Sequence, residues 1–290
     1  MQDTMETRKE YVMRLAGARM RDLRKPAENA PVWEKIRWLN VNVAELSDLK
    51  TRCVDKISAK GCAVELSDGM LSVARTIAVI HNASEIRTVT HPSRFFVKKN
   101  AGCRTNVFVE DRSKLDVAWL QKKMDSWDCR YPGINSDEFQ YALVEPRIFS
   151  EESLLGFGEQ SLLDYRFWVF SGKCAFLAVN GGRGFGGQYF FDTAFSHMDL
   201  YNLAHPVKTA ARNVQGGQDR LFQKPKNFDV MVKCAEMLGR PFPFVRVDLY
   251  NIGGIPYFGE FTFSPGGYFT RFVNSSGASL DEEIGKWLQI

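Results

Sequence analysis

Phe244 to Gly267 reads FVRVDLYNIGGIPYFGEFTFSPGG and holds the side chains best suited to chemistry. From Phe244 to Tyr250 polar and apolar positions alternate, so Arg246, Asp248 and Tyr250 share one face of a strand. Val245, Val247 and Leu249 share the other. From Tyr257 to Phe263 the same period sets Glu260 and Thr262 on one side, with Tyr257, Gly259, Phe261 and Phe263 on the other. Asn251-Ile252-Gly253-Gly254 supplies turn residues, which predicts a hairpin. In a regular hairpin an odd-length loop such as Asn251 to Ile255 gathers Arg246, Asp248, Glu260 and Thr262 on one side of the sheet. An even loop separates them. Two carboxylates brought that close repel unless a cation or a proton lies between them. Mg²⁺ suits such hard oxygens, because it takes one or two carboxylates and fills its shell with water and phosphate oxygens. The same alternation also fits a solvated face with a surface ion pair.

A second stretch, Arg94 to Thr105, reads RFFVKKNAGCRT: an apolar strand that ends on lysine and opens into a small-residue loop. A lysine so placed can contact an α-phosphate while loop N–H groups approach the β- and γ-phosphates. Gly182-Arg183-Gly184-Phe185-Gly186-Gly187 formally satisfies GxGxxG, but β-prone Gln188-Tyr189-Phe190-Phe191 follows where a dinucleotide site needs a helix. It reads instead as a loop between strands that closes over substrate, with Arg183 toward an anionic group. His81, His91, His197 and His205 are isolated from other ligand types, and packing or solvation is their expected fate.

Several elements must hold these residues. Apolar spacing predicts helices over Thr4–Arg24, Pro31–Leu39, Asp116–Met124, Asn227–Leu238 and Asp281–Leu288. The fourth, ended by Gly239 and Pro241, is expected to back the hairpin. Leu162 to Lys173 predicts a strand and tight turn, with Cys174 to Val179 returning antiparallel. Ala59 to Ile80 mixes helix and short strand without clear boundaries.

At 290 residues, 44% hydrophobic and 25% charged, the chain has the make-up of a globular protein with ample core. Its net charge of +4 comes without a basic run, which argues against nucleic acid as partner. The six cysteines form no CxxC pair or zinc spacing and read as reduced thiols of a cytoplasmic protein. The first residues are charged and lack a signal-peptide apolar core, and no apolar run reaches the ~20 residues of a membrane span. Peripheral contact with the inner membrane face is compatible with this.

Arg246-Val247-Asp248 followed by Gly259-Glu260-x-Thr262-x-Ser264-Pro265-Gly266-Gly267 resembles the C-terminal signature of ATP-grasp ligases, and more narrowly of the TupA-like ATP-grasp family, named for teichuronopeptide biosynthesis. The likeness runs upstream through Lys224-Pro225-Lys226-Asn227-Phe228 and Ala235-Glu236-Met237-Leu238, and downstream to Asp281 and Gly285. It includes Pro31 to Trp38, where Trp33 takes an aromatic place and both tryptophans read as packing residues. What the resemblance implies is an α+β ATP-grasp fold of two lobes gripping ATP, with residues 1–85 as a mainly helical N-terminal region, 86–160 as lobe A and 161–290 as lobe B. It implies Mg²⁺ on Asp248 and Glu260, with Thr262 a weaker ligand where the superfamily commonly has Asn. Arg246 would face the transferred phosphoryl group or the tetrahedral intermediate. Lys98 matches the family's strand lysine, and Lys56 the lysine of an Asp-Lys pair that reaches nucleotide phosphates, although a lone lysine is more often solvated. Glu151, with Glu152 as competitor, matches the acid near the adenine. Asp164 would hold the ribose hydroxyls and Arg166 the phosphates. The chain departs from the family at Ala101, Cys103 and Arg104, where the pattern has His, Ser and Gly. Gly at the last place permits positive φ, and Arg104 could contribute a phosphate contact or leave the loop impaired.

The implied reaction is carboxylate–amine ligation through an acyl phosphate, joining an amine or amino acid to a uronic acid of a surface polysaccharide, with ATP and Mg²⁺. An ATP-grasp kinase, a glycosyltransferase and a non-catalytic nucleotide-binding protein are the alternatives, though no clear DxD motif supports the second.

Overall fold

The computed structural model describes residues 6–127, 130–155, 162–181, 187–204 and 222–290. Among them the chain runs through α1 (Arg8–Arg21), α2 (Val32–Val41), α3 (Asp48–Val54) and α4 (Ser58–Leu66). Strands β1 (Ser72–Val73) and β2 (Thr76–Ile80) follow, then the single turn α5 (Glu85–Thr88). The hairpin of β3 (Phe95–Lys99) and β4 (Asn106–Val109) leads to α6 (Val117–Asp125), α7 (Phe139–Ala142) and β5 (Ile148–Glu152). Next come β6 (Leu163–Phe170), β7 (Lys173–Gly181), β8 (Gln188–Phe191) and β9 (Tyr201–Asn202). α8 (Phe228–Gly239), β10 (Phe244–Ile252), β11 (Ile255–Thr262), β12 (Phe272–Val273) and α9 (Asp281–Gly285) complete it.

Contacts divide the chain into two compact units. One comprises Met1–Asp22, Val41–Cys62 and Ala74–Gly156; the other comprises Leu23–Asn40, Ala63–Val73 and Phe157–Ile290. The boundary expected at 85/86 therefore falls inside the first unit, where β2 pairs with β5. The boundary expected at 160/161 lies near the passage from Gly156 to Phe157. The N-terminal helices are shared out: α1 and α3 belong to the first unit, and nearly all of α2 to the second.

The first unit is built on an antiparallel sheet of order β2-β5-β3-β4. Its core joins Ile80, Ile86, Phe95, Val97, Val109, Leu120 and Met124, so α5 and α6 pack on one face of that sheet. α6 begins at Asp116, whose carboxylate accepts from the N–H of Trp119 at 3.0 Å, one of the orphan donors of a helix N-terminus.

The second unit is built on a larger sheet of order β1-β11-β10-β6-β7-β8. α8 covers one face with buried Phe228, Met231, Cys234, Ala235 and Leu238. It lies so close that a Cβ added at Gly239 would fall 2.3 Å from Val169 of β6. The opposite face changes character along its length. At one end Trp168, Phe176, Phe190 and Phe244 join Val32, Ile36 and Leu39 of α2 in an apolar cluster with Phe272, Ile284 and Leu288. At the other end the same face carries charges.

Residues of the sequence signature outside that charged end have mechanical roles. Lys35 is 2% exposed and its Nζ donates to the carbonyls of Glu28 at 2.6 Å, Gly285 at 2.9 Å and Leu288 at 2.9 Å. The lysine thus closes off the carboxyl end of α9, where carbonyls lack helical partners. Gly285 has no space for a side chain, since a Cβ there would meet the Ala30 carbonyl oxygen at 2.3 Å. Asp281 accepts the Phe272 N–H at 2.8 Å. Trp33 and Trp38 lie in the same α2, and both are partly buried.

Candidate active site

The charged end of the second sheet is assembled by β6, β10 and β11. Arg246 lies opposite Thr262, and Asp248 opposite Glu260, so all four project from one face. The loop that joins the strands is not the odd-length one that a regular hairpin requires for this outcome. Ile252 pairs with Ile255, which leaves the two-residue turn Gly253-Gly254 with φ of 60° and 83°. Such a turn demands positive φ at both places, which glycine alone adopts freely. The parity is restored further along. Leu249 opposes Phe258 while Asp248 opposes Glu260, so Gly259 is an extra residue in β11, a bulge. The bulge also reverses the side expected for Tyr257, which pairs directly with Tyr250.

Arg246 is the hub of the cluster. Its Nε donates to Asp248 Oδ1 at 2.7 Å and its Nη2 to Asp248 Oδ2 at 2.5 Å. Nη2 also reaches Glu260 Oε1 at 3.3 Å and Thr262 Oγ1 at 3.0 Å. The Thr262 hydroxyl in turn donates to Glu260 Oε1 at 3.1 Å, which fixes one oxygen of that carboxylate. On the neighbouring strand Arg166 is the cross-strand partner of Asp248, and its Nε lies 2.7 Å from Asp164 Oδ2 and 3.7 Å from Asp248 Oδ2. Asp164 Oδ1 is buried with no hydrogen-bond partner among the described residues.

Burial dominates the electrostatics. It pushes the Asp248 carboxyl up to about 7, aided by Asp164, although Arg246 and Arg166 pull the other way. Burial also works against the Arg246 cation, but Asp248 and Glu260 more than offset this and hold it above the ordinary arginine range. Arg166 is treated likewise: burial opposes its charge, and Asp164 and Asp248 outweigh it. The Tyr250 phenol is pushed up by burial and by the surrounding acids.

Among the described residues no three His, Cys, Asp or Glu side chains converge closely enough to hold a metal by themselves. That does not disqualify Mg²⁺, which needs only one or two carboxylates beside phosphate and water. Asp248 and Glu260 supply two hard donors directly opposed. The unsatisfied Asp164 oxygen adds a buried acceptor on the same face, and Glu260 remains partly open, its side chain 44% exposed. The donor set fits the ion.

The first unit carries the lysines. Lys98 Nζ and Lys60 Nζ both bind Glu151, Lys98 at Oε1 and Lys60 at Oε2 with a separation of 2.6 Å. β3 and β5 place Glu151 opposite Phe96, and α4 brings Lys60. Burial raises the Glu151 carboxyl, yet the two ammonium groups reverse that and hold it below its ordinary range. Burial lowers Lys60, with Glu151 opposing. The acid expected beside adenine is thus a carboxylate clamped by two lysines. Glu152 instead accepts the Arg75 N–H at 2.8 Å.

Lys56 lies beside the loop after β3. Its Nζ donates to the Gly102 carbonyl at 2.5 Å, which braces the loop after β3. Asp55 and Asn100 lock the same loop from below. Asn100 Nδ2 donates to Asp55 Oδ1 at 3.1 Å, Asn100 Oδ1 accepts the Arg147 N–H at 2.7 Å, and Arg147 Nη2 lies 2.5 Å from Asp55 Oδ2. Arg104 adopts a φ of 59°, so the position where the family pattern has glycine is indeed left-handed here. Lys60 was not singled out from sequence; its one signal was a spacing of one helical turn from Lys56. Arg183 lies outside the described residues. His91 is a packed histidine, with Nε2 2.9 Å from the Ser150 hydroxyl.

A mixed α+β chain with a lysine-bearing antiparallel sheet and a second sheet carrying Arg, Asp and Glu on adjacent strands has the ATP-grasp fold. The model of the TupA-like ATP-grasp family matches residues 34–289, and the chain belongs to that family. Among solved structures it is similar to an L-amino acid ligase from Bacillus licheniformis, at 14% identity over 90% of this chain and 56% of that one, with a TM-score of 0.46. A D-alanine–D-alanine ligase from Helicobacter pylori matches at 13% identity over 81% and 59%, with a TM-score of 0.42. The ATP-grasp ligase PsnB, in complex with a minimal precursor, Mg and ADP, matches at 13% identity over 80% and 58%, with a TM-score of 0.36. The chain therefore spans little more than half the length of these proteins. A search of curated proteins finds no match.

Proposed function

We propose that this protein is an ATP- and Mg²⁺-dependent ligase that joins a carboxylate to an amine. The acid in this reading is a uronic acid of a surface polysaccharide or its precursor, and an amino acid or related amine is the second substrate. The setting is the cytoplasm, at or near the inner face of the membrane. One observation carries the reading: Asp248 and Glu260 stand opposed on adjacent strands with Arg246 bonded to both.

The chemical difficulty is to bring an anionic carboxylate up to an anionic phosphate. A bound Mg²⁺ supplies charge neutralisation at the phosphate oxygens. Asp248 and Glu260 would hold it, with Thr262 orienting Glu260 rather than acting as a strong ligand. Arg246 stays cationic because of its buried acids, so it can stabilise charge that develops as the acyl phosphate forms and as the amine attacks. Lys98 and Lys60 bring paired positive charge suited to nucleotide phosphates, and Lys56 shapes the loop whose N–H groups approach them. Arg166 and Asp164 extend the cluster along β6.

The test is ADP release from Mg-ATP with uronic acids screened against amino acids, and mass spectrometry of the product. An amide product is expected, with Asp248→Asn and Glu260→Gln each reducing turnover at least 100-fold. Steady ADP release without any amine would replace the ligase by a kinase. Turnover that survives both substitutions would remove the metal assignment.

A further inference from the structure

The two lysines that share Glu151 are not equivalent. Lys60 is the deeper, its side chain 13% exposed against 25% for Lys98. Beside its bond to Glu151, Lys60 donates to the Thr76 hydroxyl at 2.8 Å. Its ammonium lies 5.2 Å from the ring centroid of Phe149, a wholly buried side chain. Two of its three N–H donors are therefore taken, and core lies against it. Lys98 rests over Phe96, 4.9 Å from the ring centroid, and Glu151 is its one hydrogen-bond acceptor among the described residues. Lys98 thus keeps two donors for a ligand.

The charges of this group decide what it can attract. Lys98 and Glu151 by themselves form a neutral pair, which pulls weakly on an anion. Lys60 raises the trio to a net single positive charge. Glu152, the next acid along β5, has a partner of its own in Arg75, whose Nε lies 3.6 Å from its carboxylate. The Glu151 side chain is 9% exposed, so little water screens it and an adjacent cation is needed to offset its charge.

We propose that Lys60 is a positioning residue for nucleotide binding: it offsets the charge of Glu151, so that Lys98 meets the phosphates as an uncompensated cation. Glu151 in turn holds the Lys98 ammonium in place without neutralising it. Lys60 touches no phosphate in this arrangement, and its effect passes through the shared carboxylate. This rests on the reading of Lys98 as a ligand of the nucleotide phosphates.

The experiment is calorimetric titration of the full chain with ATP and Mg²⁺. Four proteins are compared: wild type, Lys60→Met, Glu151→Gln and the double variant. Lys60→Met should weaken ATP binding tenfold or more, because it leaves Lys98 neutralised by Glu151. Glu151→Gln should bind ATP at least as tightly as wild type. The double variant, which lacks both charges of the inner pair, should return to within about threefold of wild type. A damaged fold cannot give that recovery, since the double variant carries the same Lys60 substitution. A double variant as weak as Lys60→Met would make Lys60 a direct phosphate ligand and overturn the proposal. Unchanged binding in Lys60→Met overturns it too. If Lys60→Met does not fold, Glu151→Gln decides, and weaker ATP binding there sinks the idea. A wild-type protein that binds no ATP removes the nucleotide reading and this proposal with it. ATP binding with the wrong order among the variants removes the proposal alone.

Discussion

Asp248 and Glu260 oppose each other because β11 holds one residue more than β10 across the same span, and that residue is Gly259. A two-residue turn alone would have sent Glu260 to the face covered by α8. The bulge re-aims the acid, the use to which such irregularities are put beside active sites.

Gly259→Ala should therefore damage the site from its backbone. A Cβ there would lie 2.9 Å from the Asp248 carbonyl oxygen and 3.3 Å from the Tyr250 ring. The oxygen belongs to the central strand and has little room to withdraw. We expect a loss of about 1–3 kcal/mol in denaturant unfolding. We also expect at least a tenfold fall in Mg²⁺-dependent ADP release. A variant that matches wild type in both would show that the bulge can shift without consequence.

Glu151 should report on the lysines of the first unit. Its carboxyl is held below the ordinary range in the folded chain, so its contribution is present above the unfolded value and is lost as pH falls through the folded one. Glu151→Gln should cost about 1–3 kcal/mol at neutral pH, because it leaves two ammonium groups without their shared acid. The gap between wild type and variant should narrow below about pH 4, near the unfolded glutamate value. A gap that stays constant down to acid unfolding would contradict the clamp.

Lys50 predicts a slope of the same sign at higher pH. Burial pushes its ammonium down to about 7, with Glu45 opposing. Between that value and the unfolded value of about 10.4 the unfolded chain binds more protons, so stability rises with pH there. Lys50→Met should remove this rise. Melting curves from pH 6 to 10 would test it, and parallel profiles for the two proteins would count against it.

Lys35→Met keeps the length of the side chain but removes a donor shared by three carbonyls, of which that of Gly285 keeps the Leu288 N–H at 3.1 Å. A cost of about 1–3 kcal/mol follows from leaving a buried acceptor short of its donor. Hydrogen exchange should show the loss concentrated in α9 and at the start of α2. Uniform loss across the chain would place the damage elsewhere.

The sequence made some of this readable and left the rest out of reach for physical reasons. Asp116 and the apolar spacing behind it located α6 to within one residue, because a cap acts locally. The face shared by Arg246 and Asp248 followed from alternation in an unbroken strand. The side taken by Glu260 did not, since it depends on a bulge whose only trace is a glycine among several. Tyr257 was misplaced for the same reason. Lys60 looked like any solvated helix residue, and its partner Glu151 is distant in sequence. The stacking of Arg271 on Trp33 was out of reach too, since the fold alone brings these distant residues together.

The parallel pairing of β1 with β11 joins Ser72 to Tyr257 and Val73 to Phe258. During synthesis the earlier segment leaves the ribosome long before its mate exists, and the large sheet gains that edge only once the turn at Gly253-Gly254 has emerged. The first unit needs nothing beyond Gly156, so it can settle while the rest is still being translated. The lysine-bearing unit thus has all its residues made before Phe157, while the acid-bearing sheet is complete only once β11 has been made.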